Sequence, residues 1–455
     1  MRSAGHRLHS GHDRHWLFIL TGKTDMKNQN HASFLCLAAM AVLVLWAAGL
    51  RAAEDDPPLS ETDQCLSCHL DDDVMPQDYG EHDIHMQKGL SCAGCHGGDP
   101  ANDDMDDSMS PAAGYVGIPD KKDIPRFCGK CHSDIDFMRQ YQPAIQTDQA
   151  EQYGHSVHGE KLMRGDTSVA VCTSCHSGHN IMPASDPRST VYALNVPETC
   201  NKCHGDAQYM KKYDIPTDQY EKFKKSVHGQ ALLEEQDTGA PACNDCHGNH
   251  GAMPPGITSI SHVCGTCHIN NMEYFAGTKM AAGFKKKKLH GCEECHGNHE
   301  VPKPSDKMIG DDKSSVCAQC HESGDKGFLT ARVLRTRLDT LAAAYRKASV
   351  MKERVNRLGM DDLDIEFILQ EAKQSLTKAR TMIHTFDTLK VSALTTEGLV
   401  KNQQAIREAR VQIEAYYIRR KGLGASTFII TLLIVALYLK IREIERRQKS
   451  TTGEV

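Results

Sequence analysis

Little in this chain suits an ordinary packed core. Aromatic residues make up only 6% of its 455 residues while glycines number 35, a balance that argues against a sheet or barrel. A basic excess is also missing: 53 Lys and Arg stand against 59 Asp and Glu, for a formal net charge of −6, which argues against a nucleic-acid binder. No nucleophile paired with a base stands out, and no phosphate-cradling glycine loop. Cysteine is the exception. There are 19, none lies beyond Phe328, and all but Cys36 fall in one five-residue pattern.

That pattern is Cys-x-x-Cys-His, and it occurs nine times. The copies are Cys65, Cys68 and His69; Cys92, Cys95 and His96; Cys128, Cys131 and His132; Cys172, Cys175 and His176; Cys200, Cys203 and His204; Cys243, Cys246 and His247; Cys264, Cys267 and His268; Cys292, Cys295 and His296; and Cys317, Cys320 and His321. It is the attachment signal for c-type haem. Two thiols one helical turn apart reach the two vinyl edges of one porphyrin, and the following histidine sits beneath the iron as an axial ligand. A disulfide framework would not place a histidine after every second cysteine. Zinc sites built from two CxxC pairs would leave a ninth pair over and nine histidines unexplained. The cofactor expectation is therefore nine covalently bound haem c groups.

At about thirty residues per haem, the segment 54–327 is too thin to build its own core. The haems should supply most of the buried apolar surface. The expected fold is mainly α with much irregular loop, organised by stacked haems. A repeat runs through the segment: after the solitary motif at Cys65, the others pair as 92 with 128, 172 with 200, 243 with 264 and 292 with 317. A histidine precedes each pair (His85, His158, His228, His290), and three first motifs extend to CxxCHxxH, adding His179, His250 and His299. Pro100, Pro183, Pro254, Pro255, Pro302 and Pro304 mark turns between short helices.

Each iron needs a sixth ligand or an open site. The spare histidines of this region are His82, His85, His155, His158, His179, His228, His250, His262, His290 and His299, enough for bis-histidine ligation throughout and hence for low-potential, low-spin haems. His158, His228, His290, His179, His250 and His299 recur in the repeat, and His85 holds an equivalent position. His82, His155 and His262 read equally as solvated or propionate-bonding. A CxxCHxxH histidine lies one turn past the proximal one and should serve a neighbouring haem. His384 lies outside the region, beside an apolar helix face, and reads as a packing or surface histidine. Met75, Met86 and Met163 have no spacing that recommends them. The Lys285–Lys288 run reads as a solvated basic turn, or as a partner to propionates or an acidic protein.

The two ends read as a leader and an anchor. From Met26, the expected start, Lys27 and the apolar run Phe34–Leu50 form a secretory signal within a leader of 1–53. Cleavage is expected in 47–53, with Ala47-Ala48-Gly49 the best site; an uncleaved anchor is the rival. Beyond the last haem, a stalk of three helices is expected over 328–421. Leu334, Leu338, Leu341 and Tyr345 mark the first, with Gly359 as its stop. Leu369, Ala372, Leu376, Ala379, Ile383 and Phe386 mark the second. The third runs from about Glu397 through Val400, Ile406, Ala409 and Ile413. It should continue into 422–439, eighteen residues without a charge, as a transmembrane helix. The tail 440–455 carries more basic residues than the segment before the span, which favours a cytoplasmic C-terminus.

The nine motifs, the CxxCHxxH doubles and Ser226-Val227-His228-Gly229 resemble the multihaem c-type cytochromes of anaerobic respiratory chains, over about 65–327. The resemblance implies closely stacked haems and electron transfer between the quinone pool and periplasmic or outer-surface acceptors. Partners would be a quinol-oxidising or other redox protein of the inner membrane, periplasmic or outer-membrane cytochromes, or a terminal reductase. The haem domain would lie in the periplasm of a bacterium, held to the inner membrane by its C-terminal span, with homo-oligomers possible through the stalk. The helices after the last haem are loosely similar to the C-terminal region of pentahaem nitrite reductases and hydroxylamine oxidoreductases. The alternative function is accordingly a multihaem oxidoreductase of nitrite, hydroxylamine or sulfur oxyanions, with one open-coordination haem. The nitrite reductases replace one motif histidine by lysine, whereas all nine here keep histidine, so an electron carrier is the reading preferred.

Overall fold

The computed structural model describes residues 63–255, 260–451 and 453. The leader, its start at Met26 and its cleavage site lie outside the described residues. All regular structure among the described residues is helical, as the composition implied.

Up to Gly324 the helices are short, and each motif makes its own. Cys92–His96, Cys172–His176 and Cys243–His247 are single turns. Each first motif of a pair is stopped by the residue after its histidine, in positive φ: Gly97 at 68°, Ser177 at 65°, Gly248 at 87° and Gly297 at 73°. The left-handed turn throws the chain sharply aside. The second motifs of the first two pairs sit at the ends of longer helices, Ile124–His132 and Val196–His204, with proline in the first turn, where it costs no hydrogen bond.

A second repeated device joins the pairs. Two residues ahead of the repeat's leading histidine, a short polar side chain caps a helix: Asp83 Oδ1 accepts from the His85 N–H at 2.8 Å, and Ser156 Oγ and Ser226 Oγ accept from Gly159 and Gly229 N–H at 2.9 Å. The next residue donates its N–H to the following unit: Ile84 to Ile181 O at 2.8 Å, Val157 to Ala252 O at 3.1 Å and Val227 to Val301 O at 2.8 Å. Each acceptor lies two residues past a CxxCHxxH histidine. The clip thus docks each unit on the loop of the next.

The apolar core is unevenly distributed. Of the buried apolar side chains, eight lie before residue 326 and seventeen after it. All of the second group but Ile383 comes from three long helices, Lys326–Arg357, Leu363–Met382 and Thr388–Thr451. Asp325 caps the first by accepting from the Phe328 N–H at 2.7 Å, and Gly359 in positive φ (68°) ends it. Leu334, Leu338 and Leu341 pack on Leu376, Ala379 and Val391; Val355 and Ala348 pack on Ile365, Leu369, Ala405 and Ile413. Burying each such Leu or Ile contributes about 1.5–3 kcal/mol.

The third helix starts earlier than the apolar period suggested, at Thr388 rather than near Glu397, because Asp387 accepts from the Leu389 N–H at 2.9 Å and caps it there. Val400, expected inward, is 54% exposed; the packed stripe runs instead through Val391, Thr395, Asn402, Ala405 and Ala409. The helix continues unbroken through 422–439. It contains an apolar window of mean hydropathy 2.2, none of it buried, and at 64 residues it is about 96 Å long.

The helices are fastened to the preceding segment. Arg380 donates two hydrogen bonds of 2.8 Å to the Asp306 carboxylate, and Arg335 donates to Ile309 O at 3.2 Å. The third contact is a histidine pair.

Candidate haem-binding sites

Seven motif histidines each stand opposite a second imidazole. His96 faces His179 with ring centroids 6.1 Å apart, His132 faces His85 at 5.9 Å, and His176 faces His250 at 6.2 Å. His204 faces His158 at 6.1 Å, His247 faces His299 at 5.9 Å, and His268 faces His228 at 6.2 Å. The seventh, His296, faces His384 at 6.1 Å. Two imidazoles bound to one metal from opposite sides, through nitrogens at about 2 Å, put their centroids roughly 6 Å apart. The residues therefore fit a bis-histidine iron at each of these places.

The pairing follows the repeat. A histidine ahead of a pair faces the pair's second motif: His85 to His132, His158 to His204, His228 to His268. A CxxCHxxH histidine reaches back to the first motif of the preceding pair: His179 to His96, His250 to His176, His299 to His247. The docking hydrogen bonds at Ile181, Ala252 and Val301 hold the second set in place.

Sequence reasoning missed His384. The turn between the second and third long helices carries it to His296, where it stands as the repeat's histidines stand to their motifs. A signal was available: the last pair has no following CxxCHxxH, so its first motif needed a histidine from elsewhere.

Burial, and after it the facing imidazole, hold His132, His158, His176, His179, His228, His296 and His299 below the usual histidine pKa. The neutral ring is the form that binds metal. Three rings are also oriented through Nδ1: His96 to Gly117 O at 2.9 Å, His247 to Met253 O at 3.2 Å and His384 to Thr381 O at 3.0 Å. A ring that donates Nδ1–H to a carbonyl presents Nε2 to the iron.

The remaining predicted ligands are not brought opposite a motif histidine among the described residues. His290 contacts the Glu293 carboxylate through Nδ1. His155 is exposed at the end of Gln149–His155, and His262 is exposed within Ile260–Gly265. His82 is half-buried near Asp186. Nor do His69 and His321 meet a second imidazole there. His321 rests on Gly327, where any Cβ would overlap its ring, with Nδ1 3.1 Å from Asp325 Oδ2.

The eighteen motif cysteines form no disulfide, and they make one continuous series. Burial, then Asp63 and Cys65, push the Cys92 thiol up to about 11. Burial and then Cys131 raise Cys95. Cys128 is raised by its hydrogen bond to Cys172, and Cys175 is pushed up to about 11 by burial and then by Cys200. Cys200 is raised by a hydrogen bond to Cys243, and Cys264 by one to Cys292. Burial, Asp245 and Cys267 raise Cys246, while burial and Cys317 push Cys295 up to about 11. Every motif thus lies beside the next, from the first to the ninth.

Residues 84–205 match the family model described as Cytochrome c3. The matched stretch holds the motifs at Cys92, Cys128, Cys172 and Cys200 with three of the facing histidines, His85, His158 and His179. No curated protein and no solved structure matches the chain. The repeated attachment motifs and this family match together support a multihaem c-type cytochrome with covalently bound haem c.

Proposed function

We propose that the chain holds nine haem c groups in a single row and carries electrons along it, between a quinol-oxidising or other redox protein of the inner membrane and periplasmic or outer-surface acceptors. The carrying observation is the unbroken adjacency of consecutive motifs. When bound, haem c supplies a one-electron iron couple. The chain's own residues would hold the irons close, put two facing imidazoles at seven of them, and by burial favour the neutral form of rings such as His132, His158 and His176. No side chain need move for an electron to pass.

The apolar window in the third long helix supports anchoring by a single C-terminal span, with residues 440–455 in the cytoplasm and the haem region in the periplasm. The secretory signal in 1–53 supports the same address, since haem is joined to free thiols outside the cytoplasmic membrane.

Intact mass spectrometry with haem quantitation tests the row: nine added porphyrins are expected, and fewer would overturn the count. Stopped-flow oxidation of the reduced protein by a soluble acceptor tests the role. Fast re-oxidation of all the haem, with no turnover of nitrite or hydroxylamine, is expected of a carrier.

A further inference from the structure

The rule that pairs the histidines has one exception in sequence, and it falls at the first motif. A CxxCHxxH histidine caps the first motif of the unit before it, as His179, His250 and His299 do for His96, His176 and His247. One step earlier, the residue in that register is three past His96, and it is Asp99.

The structure brings Asp99 to the first motif. Gln64 N–H, at the start of the helix Gln64–Asp71 that carries Cys65, Cys68 and His69, donates to Pro100 O at 2.8 Å. The peptide next to Asp99 is therefore clipped to the first motif's helix. Asp99 is exposed, and its Oδ1 accepts from the Ala101 N–H at 3.0 Å. A carboxylate is a hard oxygen donor and a poor substitute for imidazole at a haem iron. Among the described residues no imidazole faces His69, and the histidines outside them all precede residue 32, within the expected leader. His321 too meets no second imidazole among the described residues, but there the repeat keeps a histidine, His290, in the register that would serve it, whereas at the first motif the register holds Asp99.

We propose that the iron held by Cys65, Cys68 and His69 takes a small exogenous ligand at its sixth position, a diatomic gas or a small anion of the kind that binds open haem iron. Asp99 keeps the position open where the repeat elsewhere puts histidine. This rests on the reading that haem c is attached at every motif. It adds a ligand-binding site at the N-terminal end of a row in which seven motif histidines face a second imidazole.

The test uses the full-length holoprotein and carbon monoxide. Peptide mass mapping first establishes haem on Cys65 and Cys68; a bare peptide overturns the row and this proposal together. With haem present, the reduced protein is expected to bind about one carbon monoxide per nine haems, and the oxidised protein to show a matching high-spin signal. Asp99→His should weaken carbon monoxide binding at least tenfold and abolish that signal. Cys65→Ala with Cys68→Ala should leave eight haems and no binding. Wild-type protein that is low-spin throughout and binds no carbon monoxide overturns the proposal while leaving the carrier reading intact. So does binding that survives loss of the first haem, and so does ligation by Met75, whose N–H donates to His69 O at 3.0 Å.

Discussion

His384 and His296 face each other across the junction between the long helices and the motif region, with ring centroids 6.1 Å apart and planes 24° from parallel. The turn between the second and third long helices therefore reaches into the motif region. It places an imidazole where a further repeat would have placed one.

His384→Ala should convert one iron in nine from low spin to high spin. His384→Met should keep it low-spin with a raised potential, since thioether ligation raises the potential of a haem. Electron paramagnetic resonance and a redox titration of the two variants check both outcomes. A spectrum unchanged in His384→Ala would show that this histidine only packs.

A close approach between helices gives the second prediction. A Cβ at Gly398 would stand 2.8 Å from Leu341 Cδ1 and 3.0 Å from Ser375 Cβ, and Leu341 is fully buried. Gly398→Ala should therefore destabilise the bundle by about 1–3 kcal/mol through overpacking. Denaturant unfolding followed by far-ultraviolet circular dichroism measures this. The same substitution at Gly422, with nothing within 4 Å of its Cβ position, should cost nothing by packing.

Much of this was legible in the sequence, because attachment chemistry fixes local spacing. Two thiols and a histidine must share one turn, so the motifs and the helical character of the region could be read directly. The repeat marked His85, His158, His179, His228, His250 and His299. Which iron each serves depends on backbone docking between units, such as Val157 N–H on Ala252 O, and no single stretch of sequence contains that contact. The approach of His384 to His296 is not legible in the sequence, because its helix face is apolar and the facing histidine lies 88 positions earlier. Asp387 had signalled the true start of the third helix, but as a cap it breaks no hydrophobic period.

Residues 422–439 give the third prediction. They lie beyond Ile413, the last residue of the packed stripe, and their apolar window is unburied. Ending the chain after Lys421 should move the haem-containing protein from the membrane fraction to the soluble fraction. The haem spectrum and the bundle's stability should be unchanged. Fractionation with haem staining checks this, and a truncated chain that stays with the membrane would assign anchoring to another segment.

The last prediction concerns the SVHG turn. At Gly159 and Gly229 a Cβ would run into the carbonyls of Tyr153 and Phe223, and Ser156 Oγ and Ser226 Oγ donate to those same carbonyls at 2.6 Å. The glycine is thus required by close backbone approach, while the serine satisfies both the carbonyl and the helix N-terminus. Ser156→Ala, which loses a cap, should cost about 0.5–2 kcal/mol and leave His158 facing His204. Gly159→Ala must instead push the backbone apart just after His158, and so should detach that imidazole from its partner. The expected signature is a new high-spin signal in Gly159→Ala that is absent from Ser156→Ala, even where the two unfold at similar denaturant concentrations. Equal spectra would mean that the turn tolerates the shift and that His158 is held by other contacts.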